Sequence, residues 1–179
     1  MQGTAPCGRP SESSDIMVKE NDKIQTFVNV KDQIGFCGLW CGSCIVGNGT
    51  LHKLTEEYKK LISAYGLRQW APDDFNFDEF VKGLDSIQKL PLCSGCLKGG
   101  GRNPCEIRTC ASNKGLRDCT SCKEFGRCAN AEILEHMRSG ARDAGMSVKT
   151  QNIDRGEFIK TETAELKAKW PCSILFMHD

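Results

Sequence analysis

Cys93-Ser94-Gly95-Cys96-Leu97-Lys98-Gly99-Gly100-Gly101-Arg102-Asn103-Pro104-Cys105, running on through Cys110, Cys119 and Cys122 to Cys128, is the stretch on which the fold turns. Gly95, the Gly99-Gly100-Gly101 run, Gly115 and Gly126 interrupt every apolar pattern in it, so no ordinary hydrophobic core can come from these residues. Sulfur takes the place of grease. Two Cys-x2-Cys pairs, Cys93/Cys96 and Cys119/Cys122, are separated by 22 residues. Such a pair forms a turn that points both sulfurs at one ion, and two pairs complete a tetrahedral four-sulfur site. The stretch therefore predicts a loop-rich segment ordered by metal, with a helical turn or two over Glu106 to Asn113.

Working upstream, Cys37-Gly38-Leu39-Trp40-Cys41-Gly42-Ser43-Cys44 offers three more sulfurs, at x3 and x2 spacing. Three thiolates cap one metal, or three irons of a cubane cluster. The spacing is similar to the cluster motif of radical S-adenosylmethionine enzymes. Ser43 stands where those enzymes carry an aromatic residue, and the chain lacks their alternation of strands and helices, so that chemistry is set aside. Cys105, Cys110 and Cys128 are the candidate fourth partners of the triplet. The expected division is Cys93, Cys96, Cys119 and Cys122 in one site, with Cys37, Cys41, Cys44 and one of Cys105, Cys110 or Cys128 in another. These ten cysteines exceed two four-sulfur sites by two. Two non-ligands, a bridging sulfur or a third site that recruits histidine all remain open. Zn2+ is the expected metal and a 4Fe-4S cluster the alternative.

The totals agree with this reading. Of 179 residues, 39% are apolar, a share low enough that the fold needs help beyond its core. Structural zinc supplies about 10–16 kcal/mol in small finger peptides, comparable with the stability of a whole domain. No secretory or membrane-spanning run of apolar residues is visible, which predicts a cytoplasmic protein with no membrane partner. In a reducing compartment the 12 cysteines read as metal ligands rather than disulfides. From Cys93 to Cys128 the basic residues number seven and the acidic three, an excess of +4. A zinc ion with four thiolates carries a charge of about −2, so two such centres cancel that excess. The balance speaks against nucleic acid as a partner and leaves an unidentified protein.

Residues 1–33 read as a flexible leader, with one short strand over Gln25 to Val30. Residues 34–179 read as the cysteine-rich metal-binding helical domain. Thr50 reads as the N-cap of a first helix with Leu51, Leu54, Tyr58, Leu61, Ile62 and Tyr65 on its apolar stripe, and Gly66 stops it. A second helix is predicted over Phe77 to Lys89, ended by Pro91. A third spans Ala129 to Ala144 with Ile133, Leu134 and Met137 inward. A fourth spans Glu157 to Lys169 with Phe158, Ile159, Leu166 and Trp170 inward. The fold class is mainly α, a small helical domain with a cysteine-rich, metal-stapled loop segment.

Taken in order, Cys37-Gly38-Leu39-x-Cys41-x2-Cys44, Cys93-x-Gly95-Cys96-x2-Gly99, Cys105-x-Ile107-Arg108-x-Cys110-Ala111, Gly115-Leu116-x2-Cys119-x2-Cys122 and Cys128 form one pattern. It resembles domain of unknown function family 3795, a cysteine-rich family of bacteria and archaea. The resemblance covers about residues 35 to 135. It implies metal binding, with zinc the suspected ion, and supplies no activity.

The remaining candidates are weaker. His52 falls off the apolar stripe and reads as solvated. His136, eight residues after Cys128, is within reach of a metal edge, whereas His178 lies in the tail. Cys7 stands alone in the leader. Cys172 reads as a buried thiol, with late ligation as the competing role. Trp40 reads as a shield over the sulfurs or, alternatively, a stacking face for a base. No Ser-His-Asp pattern, phosphate loop or paired catalytic carboxylates occur, so no catalytic residue is assigned and the reading points away from an enzyme.

Overall fold

Five helices joined by sulfur-bearing loops make up the described part of the chain, residues 30–169 of a computed structural model. They are α1 (Thr50–Ala64), α2 (Phe77–Lys89), α3 (Glu106–Asn113), α4 (Ala131–Asp143) and α5 (Arg155–Lys169). Among the described residues there is no strand, only isolated bridges pairing Ile34 with Trp40 and Leu39 with Val148. The mainly helical class predicted from the sequence is what the structure shows. Cys7, Trp170, Cys172 and His178 lie outside the described residues, as does all of the expected strand except Val30, whose backbone is helical.

Local chemistry explains where the helices begin. Asn76 caps α2 by accepting the Glu79 N–H at 3.1 Å, and Asp78 and Glu79 place negative charge on its first turn. Pro91, two residues after Lys89, prevents continuation. Asp154 caps α5 in the same way, accepting the Glu157 N–H at 3.0 Å. At α1 the expectation fails. Thr50 is the first helical residue rather than the cap, because Gly49 makes the turn at φ 77° and the Asn48 side chain accepts the Thr50 N–H at 3.0 Å.

Helices α1 and α2 form an antiparallel hairpin. Tyr58 meets Phe80 edge-on at 6.2 Å, and Phe75 packs against the same ring at 5.3 Å. Lys59 reaches across to Asp85 and to Gln88. Little else covers the pair, so the predicted apolar stripe of α1 is only partly buried. Leu61 and Tyr65 remain 55% and 79% exposed. His52, expected in solvent, is buried instead, because the whole entry to α1 from Gly47 to Thr50 is enclosed.

Elsewhere the core is thin. Ile34, Trp40 and Phe158 form one cluster, with Ile159 and Leu166 of α5 packed against it. Only ten apolar side chains are fully buried among the described residues, too few to hold five helices together by packing alone. The loop of residues 33–44 joins the pieces. Its Trp40 N–H donates to Ser147 (2.9 Å), and its Gly38 carbonyl accepts from the Lys149 N–H (2.8 Å). On its other side the Phe36 carbonyl accepts from the Cys119 N–H at 2.8 Å. Gly38, at φ +96°, has to be glycine, since a Cβ there would stand 2.2 Å from the Lys149 carbonyl oxygen.

Candidate metal centre

All ten described cysteines carry free thiols. Their backbone supports are turns of one kind. In Cys41-Gly42-Ser43-Cys44 the Cys44 N–H donates to the Cys41 carbonyl at 3.1 Å, and in Cys119-Thr120-Ser121-Cys122 the equivalent bond is 3.2 Å. Asp118 opens the second turn by accepting the Thr120 N–H at 2.9 Å. The Cys93/Cys96 pair is held by its glycines. Gly95 accepts from Lys98 and from Gly100, and Gly100 comes so close that a Cβ on it would lie 2.9 Å from the Cys93 sulfur.

The sulfurs sort into two neighbourhoods. Cys41 lies in the electrostatic field of Cys96, Cys44 and Cys93, and its sulfur accepts the backbone N–H of Cys96. Burial and these neighbours push the Cys41 thiol up to about 11, while the Cys96 N–H pulls it back. The second neighbourhood surrounds a cavity of about 130 Å³ whose wall includes Cys110, Cys119, Cys122 and Cys128, beside Ile107 and Leu134. Burial and then the adjacent Cys128 push the Cys119 thiol up to about 11 as well. Cys37 has neighbours in both groups. Burial raises its thiol, Cys96 and Cys105 add to the rise, and Cys37 in turn acts on Cys119.

The neighbours differ from the division drawn from spacing. Cys41 has Cys96, Cys44 and Cys93 in its electrostatic surroundings, whereas Cys119 and Cys122 line the cavity with Cys110 and Cys128. The physical reason is the α1–α2 hairpin. Its arms, 15 and 13 residues long, span about 22 and about 20 Å at the rise of a helix. They return the chain to where it left Cys44. Two predicted helices of nearly equal length, joined by a short turn, were the signal in the sequence that could have shown it.

Trp40 is buried at 1% exposure and donates its indole N–H to the Lys31 carbonyl, so it offers no face on which a base could stack. His136 is exposed on α4, on the side away from buried Leu134 and Arg138.

Three polar residues that sequence reasoning passed over support the sulfur turns. Gln33 donates to the Ser94 carbonyl at 3.0 Å and so fastens the Cys93 turn to the central loop. Lys149 forms a buried ion pair with Asp118 at 3.0 Å and also donates to Thr120 Oγ1 at 2.8 Å. Burial acts to raise the Asp118 carboxyl, but Thr120 and Lys149 outweigh it and hold it below the usual carboxylate range. Arg138, 4% exposed, donates from Nε to the Cys37 carbonyl at 2.9 Å. Arg138 had a signal, since Leu134, Arg138 and Ala141 share the inward stripe of α4 and an arginine is out of place there.

Among the described residues no three His, Cys, Asp or Glu side chains converge as ligands around a point. The donor chemistry nevertheless suits a sulfur-loving metal. Soft thiolates are paired on tight turns, and a backbone N–H is aimed at a sulfur across the first group. No described helix is long and apolar enough to cross a membrane.

Fold and sulfur turns together define a class: small, mainly helical, cysteine-rich proteins whose cysteines lie mostly on turns and loops. Within that class, the chain belongs to the family described as Protein of unknown function (DUF3795), whose model matches residues 33–133. The match begins at the central loop and ends in the first turn of α4. No curated protein and no solved structure matches the chain.

Proposed function

We propose that this is a structural metal protein that binds Zn2+ through two four-sulfur sets and works as a binding or scaffold module. Cys41, Cys44, Cys93 and Cys96 make up one set, and Cys110, Cys119, Cys122 and Cys128 the other. The observation that carries the reading is the cavity walled by four cysteines drawn from α3, the Cys119 turn and the loop before α4. Cys37 and Cys105 complete the ten-sulfur belt without belonging to either set. Zinc in such sites supplies cross-links and no redox chemistry. The chain's own part is to present thiolates on fixed turns and to neutralise their charge. A reducing cytoplasm would keep these thiols available. The half-exposed stripe of α1, with Leu54 and Leu61, is the kind of surface a protein partner would cover.

Elemental analysis and an optical spectrum on full-length protein prepared without oxygen test this. The reading expects about two zinc ions per chain and no visible absorbance. A brown chromophore that bleaches in air would instead establish the 4Fe-4S alternative, and a chain free of any metal would remove both.

A further inference from the structure

Arg138 is the most deeply buried cation near the sulfurs whose hydrogen bonding is incomplete among the described residues. It is a cation at 4% exposure, inside a helix, facing the cysteine loops. Nε is satisfied by the Cys37 carbonyl at 2.9 Å, but among the described residues Nη2 is buried with no hydrogen-bond partner. Among the described residues no carboxylate pairs with it. Those nearby in sequence or space are committed elsewhere: Asp118 to Lys149, Glu124 to Lys114 and Glu135 to Arg142. The Phe125 ring, 5.3 Å from the guanidinium carbon, gives partial relief only. A buried cation without a counter-charge is strongly disfavoured, so its retention calls for an anion that belongs there.

Sulfur is the source of negative charge at hand: Arg138 bonds the Cys37 carbonyl, and the Phe36 carbonyl beside it accepts the Cys119 N–H at 2.8 Å. Phe125, over which the guanidinium lies, also lines the cavity walled by Cys110, Cys119, Cys122 and Cys128. A divalent ion held by four thiolates leaves a net negative centre, and a guanidinium is suited to that environment because it is always charged and brings several donors. We propose that Arg138 is the buried counter-charge of this second sulfur centre, matched to a four-thiolate metal site and left uncompensated when that site is empty. The inference rests on the two-centre reading above. It adds a polarity: the centre next to α4 depends on a cation, whereas the Cys41/Cys93 centre does not.

The test uses the full chain loaded with zinc, as wild type, Arg138→Lys and Arg138→Met, titrated with a chromogenic chelator. Wild type is expected to release zinc in two steps. Arg138→Met should weaken one step by about ten- to a hundredfold and leave the other unchanged, and Arg138→Lys should restore most of the loss. The metal-free Arg138→Met chain should melt no lower than metal-free wild type, since a lone buried charge has been removed. Equal weakening of both steps, or no weakening of either, would overturn the proposal while leaving the two-centre reading intact. Wild type that takes up no zinc would overturn both. If Arg138→Met does not fold, Arg138→Gln carries the same contrast against Arg138→Lys.

Discussion

Asp118 and Lys149 show how one buried pair positions a sulfur turn. Asp118 starts the Cys119 turn, and Lys149, on the segment between α4 and α5 and anchored by its backbone N–H to the Gly38 carbonyl of the central loop, grips the Asp118 carboxylate. Both side chains are almost fully enclosed. Lys149→Met leaves the carboxylate buried without its counter-charge and should cost about 3–5 kcal/mol in zinc-loaded protein. Adding Asp118→Asn, which keeps a capping oxygen, should recover most of that. Chemical denaturation of the single and double variants checks it, and a double variant no better than Lys149→Met would contradict the pairing. The thiols give a second prediction. Burial pushes Cys41 and Cys119 up to about 11, so in the metal-free chain both are protonated at neutral pH and a metal must displace their protons. Zinc affinity should therefore rise with pH between about 6 and about 8, with proton release on binding. A flat profile would show that these sulfurs are not ligands.

At the scale of elements, legibility followed how local the cause was. The second predicted helix, Phe77 to Lys89, matches α2 to the residue, because the Asn76 cap, the aromatic period and Pro91 all lie within it or beside it. Glu106 to Asn113 was likewise readable as α3. Thr50 and His52 were misread for one reason: the burial of the α1 entry depends on the Gly47-Asn48-Gly49 turn packing inward, a tertiary event that helical periodicity does not report. Which cysteines neighbour one another was hidden in the same way, because spacing gives candidate ligands but not which loops the α1–α2 hairpin brings together. The hairpin should behave as a separable arm. Asn76→Ala should cost about 0.5–2 kcal/mol of stability through loss of the cap and leave the zinc content unchanged. Loss of zinc in that variant, measured by elemental analysis, would mean that the hairpin and the Cys41/Cys93 set are coupled more tightly than their contacts indicate.

Across the whole molecule, five helices share a small apolar core and a belt of ten thiols. Besides α1 with α2, no two described helices make an extensive contact; the others are joined through the sulfur turns and the loop of residues 33–44. The glycine-rich composition of the Cys93–Cys128 segment pointed to this in the sequence, although Ile107 and Ala111 of α3 do join the buried core. Lys149 was not foreseen, because a buried cation off any helical stripe is recognisable only once its surroundings are known. Metal removal is the most direct measurement of the central claim. Full-length protein, treated with a strong chelator and followed by thermal melting and amide hydrogen exchange, should lose protection first across Cys93 to Cys128 and melt at a markedly lower temperature, with both effects reversed by added zinc. A stripped chain that keeps its exchange pattern and its melting temperature would contradict the account.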